Sequence, residues 1–148
     1  MKQILYSLIL VFTITVSSCK KEDSNADPVP AIEFVSISPQ QVTEYRDSIV
    51  MVIQYTDGDG DLGENTSTAK NLFVKDSRNG VTYTYRIQQL APNDANIIIR
   101  GKLNIQLTNT AVVGSGDSET VTYEIYVKDR AGNESNRVES TPLTVTKL

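Results

Sequence analysis

The sequence predicts an all-β protein: a seven-stranded antiparallel β-sandwich that follows a signal peptide and a short tether. From residue 31 onward 118 residues remain, which is enough for one domain and short for two. No stretch of them keeps a helical period. Short apolar or alternating runs recur instead, separated by Gly, Asn, Asp and Pro, which is the pattern of an all-β sandwich. The alternative architecture, a jelly roll, needs one strand more.

The seven predicted strands follow one another along residues 31–148. The second is the most apolar and is expected to be central. The third and fourth are joined through Asn79-Gly80, a strong hairpin signal. Gly101 in the fifth predicts a bulge or a close contact, and Pro142 in the seventh predicts an edge strand. The strands cover residues 32–38, 48–56, 71–76, 81–87, 97–107, 119–128 and 138–146.

Residues 1–18 have the pattern of a signal peptide. A basic start (MKQ) precedes the apolar run 4–16, ILYSLILVFTITV, which as a helix is roughly 20 Å long and too short for a bilayer core of about 30 Å. The following VSSC, residues 16–19, resembles the lipobox of bacterial lipoproteins. That resemblance implies that Cys19, the only cysteine, is lipidated and anchors the protein to a membrane. An ordinary cleaved signal that happens to contain a cysteine is the alternative.

Residues 19–30 are predicted to form a flexible tether, because KKEDSNADPVP is polar, charged and interrupted by prolines. No aspartate follows Cys19. By resemblance to the sorting rule of two-membrane bacteria, this implies an outer-membrane lipoprotein that faces the periplasm or the cell surface. The residues KKED at 20–23 also resemble the charged surface-export tether of Bacteroidota lipoproteins.

The composition excludes several classes of function. The 148 residues contain no histidine and one cysteine, which excludes Ser-His and Cys-His catalysis, His-ligated zinc and an intrachain disulfide. Lys plus Arg is 14 against 18 Asp plus Glu, so the basic excess of a nucleic-acid-binding protein is missing. No nucleic-acid partner is therefore expected.

The sixth strand and its turn, YEIYVKDRAGNES at 123–135, place Val121, Tyr123, Ile125 and Val127 on one predicted inward face. This segment resembles the F strand and F–G turn of bacterial immunoglobulin-like and fibronectin type III-like domains. The resemblance implies that residues 31–148 form such a sandwich and that Tyr123 is a corner tyrosine whose hydroxyl bonds to nearby backbone. The tryptophan and paired cysteines of antibody domains are absent from the sequence.

An acidic loop, DGDGDLGE at 57–64, follows the second strand. Asp57, Asp59 and Asp61 match the first three aspartates of Asp-x-Asp-x-Asp calcium loops, and the intervening glycines allow carboxylates to converge on an ion. Leu62 and Thr68 depart from the EF-hand pattern, which the loop therefore does not follow. The alternative is a solvated, mobile turn rich in Asp and Gly.

The predicted calcium site includes two residues from a second loop. In a seven-stranded sandwich of this order, the loops after the second and sixth strands lie at the same end. Asp129 and Asn133 are therefore expected to approach the acidic loop and complete the ligand shell. Magnesium is less favoured because it demands stricter geometry with fewer protein ligands.

These observations favour a non-enzymatic, lipid-anchored binding or accessory module of the cell envelope, with a protein or a glycan as its partner. No catalytic residue is predicted. The alternative is a carboxylate-dependent, glycosidase-like hydrolase that uses the acidic loop. The tyrosines at alternating positions also admit a carbohydrate platform, although such residues more often line a core or a half-exposed sheet face.

Overall fold

A computed structural model describes residues 26–148. This part of the chain is all-β and contains no helix, and so none that is long and apolar enough to cross a membrane. The predicted signal peptide, Cys19 and residues 20–25 of the tether lie outside it. The ten strands are β1 Ala31–Ser38, β2 Gln41–Thr43, β3 Ile49–Asp57, β4 Leu72–Asp76, β5 Thr82–Tyr85, β6 Ile99–Leu107, β7 Ser118–Val121, β8 Tyr123–Val127, β9 Val138–Glu139 and β10 Leu143–Thr146.

The strands form three sheets. The first has the order β1-β3-β6, the second β2-β10-β7, and the third β5-β4-β8-β9. Every pairing is antiparallel except that of β2 with β10. Strand β3 pairs with both β1 and β6, which confirms that the most apolar strand is central.

One hydrophobic core joins the three sheets, an arrangement consistent with the predicted sandwich. In β3, every second side chain points inward because strand side chains alternate between faces. Ile49, Met51 and Ile53 are thereby buried against residues of the other sheets such as Val74 and Ile125. Burying a side chain of this size typically contributes about 1.5–3 kcal/mol.

The predicted count of seven strands is wrong, because two long runs divide and one short strand was missed. The sixth run breaks at Thr122, whose backbone N–H and C=O both bond to Ser77 instead of to a strand. The seventh breaks at residues 140–142, where Ser140 donates its backbone N–H to the Tyr123 carbonyl and accepts the Tyr123 N–H with its side-chain hydroxyl, and where Pro142 has no N–H. At these breaks both segments pass from one sheet to another. The missed strand, β2, has only three residues.

Of three predictions that rest on single glycine or proline residues, two are confirmed and one is wrong. The Asn79-Gly80 hairpin is confirmed, with Gly80 at φ 72° between the paired strands β4 and β5. Gly101 also makes the close contact expected of it, since a Cβ there would lie 2.7 Å from the Tyr55 hydroxyl. The edge position inferred from Pro142 is wrong, because β10 lies between β2 and β7.

A side chain from the segment before β9 is bonded to the backbone of β1. The amide of Asn136 bonds to both backbone groups of Ile32: it accepts from N–H at 2.8 Å and donates to C=O at 2.8 Å.

The Tyr123 hydroxyl is buried and has no hydrogen-bond partner in the described chain, although it lies near Thr110. The backbone bond expected of a corner tyrosine is therefore absent at this hydroxyl.

Candidate metal centre

The alternation of β3 explains why an aspartate is buried at the end of this strand. Asp57 is in phase with the inward-facing Ile53 and Tyr55, and its side chain is 0% exposed. It pairs across the sheet with Ile99. The strand therefore places a carboxylate at the border of the hydrophobic core, where an unpaired charge is costly.

The loop after Asp57 folds back on this carboxylate. Gly60 and Gly63 have φ values of 78° and 88°, which favour glycine, and they turn the chain back on itself. Leu62 lies between them, is 0% exposed in the core, and donates its backbone N–H to Asp57 Oδ2 at 2.8 Å. Leu62 thus anchors the loop to the domain. The loop is packed against the domain, with Gly60, Leu62 and Gly63 buried and Asp59 and Asp61 half-buried.

Three carboxylates converge within this loop. Oxygens of Asp57, Asp59 and Asp61 all lie within 4.8 Å of one another. One oxygen of each, the Oδ1 atom, is buried and has no hydrogen-bond partner in the described part of the chain. Buried polar atoms are normally paired, and these three carboxylate oxygens form a group that could hold a metal ion.

The electrostatics of the loop are unfavourable without a cation. Burial, followed by the charges of Asp59, Asp61 and Asp129, raises the pKa of Asp57 to about 6, against the lowering effect of the Leu62 N–H. Burial and the charges of Asp129 and Asp59 also raise the pKa of Asp61. A divalent ion would reverse this balance, because it stabilises the ionised form of each carboxylate.

The residues fit a metal ion. Calcium binds oxygens at about 2.3–2.6 Å, so a single ion reaches oxygens up to about 5 Å apart. The Asp57, Asp59 and Asp61 group satisfies that limit. Carboxylate oxygens are hard ligands of the kind that calcium, magnesium and manganese prefer, and the remaining coordination positions of such an ion can be filled by backbone carbonyls and water.

The second predicted loop lies beside the first. Asp61 Oδ2 accepts the backbone N–H of Ala131 at 3.0 Å, and Arg130 donates to the Gly63 carbonyl at 2.7 Å. Asp129 and Asn133, the two further predicted ligands, bond to each other: Asp129 accepts the backbone N–H and the side-chain amide of Asn133 at 2.7 and 2.8 Å. Direct ligation by this pair stays a prediction.

Sequence reasoning missed the residues that hold the acidic loop in place. Leu62 was noted only as a departure from the EF-hand pattern, whereas its side chain fills the core. The available signal was its position among polar neighbours: a single large apolar residue in an Asp/Gly loop needs a place to be buried. The contacts of Arg130 and Ala131 carry no comparable local signal, because they connect residues some 70 positions apart.

The aromatic residues do not form an open platform on the third sheet. Tyr126 stacks on Phe73 with ring centroids 4.6 Å apart, and the Arg137 guanidinium lies 3.9 Å from the Tyr126 ring centre. The Tyr126 ring therefore already has an aromatic and a cationic neighbour, a common structural arrangement. Tyr83 and Tyr85 pack against the core instead.

Comparison with known proteins adds no relative. No protein-family model matches the chain, and no curated protein matches it.

Proposed function

We propose that this chain is a calcium-stabilised, immunoglobulin-like module of the cell envelope, anchored to a membrane through a lipid on Cys19, and that it acts as a non-enzymatic binding or accessory protein. The observation that carries the calcium part is the convergence of three buried, unpartnered carboxylate oxygens on Asp57, Asp59 and Asp61. The module presents its loops or a sheet face to a partner, which is a protein or a glycan.

Strand order supports the immunoglobulin-like assignment. If β1, β3, β4, β5 and β6 are labelled A, B, C, C′ and E, then β7 with β8 corresponds to F and β9 with β10 to G. The first and third sheets are then ABE and C′CFG, which is close to the order of immunoglobulin-type sandwiches. The parallel strand β2 and the divided F and G strands are the departures.

Calcium is favoured over magnesium by the chemistry of the loop. Calcium accepts six to eight oxygens in flexible geometry, and it is bound in extracellular modules at about 10⁻⁴–10⁻³ M. Magnesium usually retains most of its water and takes few protein ligands. Three carboxylates on one loop suit the less demanding ion.

The arrangement of the carboxylates gives the hydrolase alternative little support. A glycosidase needs two carboxyl groups on opposite sides of a bound sugar, about 5–5.5 Å or 6.5–9.5 Å apart. Here the acidic group lies on one loop, and Asp57 is fully buried and therefore out of reach of a substrate.

A thermal melt of residues 19–148 tests the metal site. An ion that binds only the folded state adds RT ln(1 + [L]/Kd), which is about 2.7 kcal/mol at 100 times Kd. With a Kd of about 10⁻⁴ M, typical of extracellular calcium modules, about 10 mM calcium is 100 times Kd. For a domain of this size the resulting stabilisation should raise the melting temperature by roughly 10 °C. Magnesium should do much less, and sodium at matched ionic strength controls for screening.

Two variants complete this test. Asp59→Asn should lose most of the calcium effect, whereas Asp117→Asn, at an exposed position outside the acidic loop, should keep it. Equal small shifts with calcium and magnesium, or a wild-type response from Asp59→Asn, would show that the loop is not a calcium site.

A further inference from the structure

The end of the tether lies against the acidic loop. Gly58 separates Asp57 from Asp59, and a Cβ on it would lie 2.2 Å from the Asp27 carbonyl oxygen and 2.6 Å from that of Ala26. Cβ atoms essentially never come so close to backbone. Gly58 has no positive φ, so the close approach of the tether, and not the backbone conformation, is what requires a glycine here.

This contact places the tether beside two of the candidate metal ligands. The residues on both sides of Gly58 carry two of the three unpartnered carboxylate oxygens. Asp27 shapes the chain as it leaves this contact, since its Oδ1 accepts the backbone N–H of Val29 at 2.9 Å, and Pro30 is then buried just before β1.

Charge makes the contact sensitive to a cation. Carbonyl oxygens carry partial negative charge, and those of Ala26 and Asp27 face a loop with three carboxylates. Like charges repel, so this contact is less favourable while the three carboxylates are not neutralised by a cation. A bound ion neutralises the loop and fixes the positions of both flanking aspartates.

We infer that cation binding by Asp57, Asp59 and Asp61 controls where the tether leaves the domain. With calcium bound, Ala26 and Asp27 are held against Gly58. Without calcium, residues 26–30 separate from the loop and add up to about 17 Å to the reach of the tether. This inference rests on the proposed metal site and assigns it a role in positioning the domain relative to its anchor.

The length of the free tether can be measured between two spin labels. The unlipidated chain 19–148 has one thiol, Cys19, and Lys102→Cys adds a second on the exposed face of β6. Calcium at about 10 mM is expected to narrow the distribution of distances between the labels and to remove its longest part, by up to about 17 Å. The same solution is used for the melting measurement, so that both properties are compared under one condition.

The outcomes separate the inference from the proposed function. If calcium raises the melting temperature but leaves the distance distribution unchanged, the metal site stands and the inference is overturned. If calcium changes neither, both fail. In Asp59→Asn, the distribution of distances between the labels should stay broad when calcium is added. If it narrows as much as in the wild type, calcium acts at another place and the inference is overturned.

Two further variants locate the contact. Gly58→Ala puts a methyl group where the tether carbonyls lie, and should abolish the narrowing at saturating calcium. Gly114→Ala is the matched control, because a Cβ there meets its nearest neighbour at an ordinary 3.5 Å. Asp27→Ala removes the Asp27–Val29 bond on the tether side and changes no ligand, and it should weaken the narrowing. Narrowing at full wild-type strength in either Gly58→Ala or Asp27→Ala contradicts the proposed contact.

Discussion

Replacing Asp57 by Asn should stabilise the protein when divalent cations are removed. The Asp57 side chain is 0% exposed, and its pKa is raised from 3.8 to about 6, first by burial and then by the neighbouring carboxylates. The folded state therefore holds a proton more tightly than the unfolded state. The resulting destabilisation is fully present above pH 6 and is relieved as the pH falls from 6 towards 3.8.

The size of the effect follows from the same pKa. A rise from 3.8 to about 6 is equivalent to at most about 3 kcal/mol. Asparagine keeps an oxygen that can accept the Leu62 N–H but carries no charge. In a chelating buffer at pH 8, Asp57→Asn should then unfold at a higher urea concentration than the wild type, by a free energy of up to about 3 kcal/mol. This difference should shrink below pH 6 and vanish near pH 4.

In calcium, the wild type should become more stable than Asp57→Asn, the reverse of the order expected in chelator. The wild type gains about 2.7 kcal/mol at 100 times Kd, whereas Asp57→Asn lacks a ligand and gains little. Asp117→Asn controls for the loss of one exposed negative charge. A lower stability of Asp57→Asn in chelator at pH 8, or a difference that does not change with pH, would refute the argument that an uncompensated buried charge dominates this loop.

Two other predictions concern the anchor and the ion pairs. Cys19→Ala should release the protein from membranes or leave it unprocessed, and a mature-sized mutant that still fractionates with membranes would exclude lipidation as the anchor. Arg78→Met should cost about 3–5 kcal/mol in urea unfolding, because it removes the guanidinium that binds the carboxylate of Asp76 at 2.6 Å and leaves this 0% exposed charge uncompensated. Arg137→Met is the matched control: its two ion pairs at 3.1 Å are about half exposed, so the cost should be about 1 kcal/mol or less. Equal costs for the two variants would contradict this ranking.

Alternation along the strands made most of the fold predictable. Val121, Tyr123, Ile125 and Val127 were expected to point inward and are all buried. The same pattern concealed the break at Thr122, because the side chains keep their period while the hydrogen bonds pass from one sheet to another. A local sequence pattern reports which face is buried and carries no information about which strand is the partner.

For the site, the three aspartates were predictable and their surroundings were not. Regular spacing on a glycine-rich loop indicated that Asp57, Asp59 and Asp61 would converge, and the structure brings them together. The contact between Gly58 and the tether was not foreseen. It depends on where a distant segment crosses the domain, and a glycine in an Asp/Gly loop looks the same whether it serves a turn or a close approach.

The side chain of Asn136 has a consequence for how neighbouring molecules meet. Strand β1 pairs with β3 on one side only, and an unpaired strand edge is a template on which another chain can add a strand. At Ile32 that template is already used, since one amide group occupies both the backbone donor and the backbone acceptor. A strand from another copy would find no free groups there and would have to displace Asn136 first. For a protein anchored to a membrane, as proposed above, Asn136 therefore opposes the addition of a strand from a neighbouring copy at the start of the β1 edge, beside the tether.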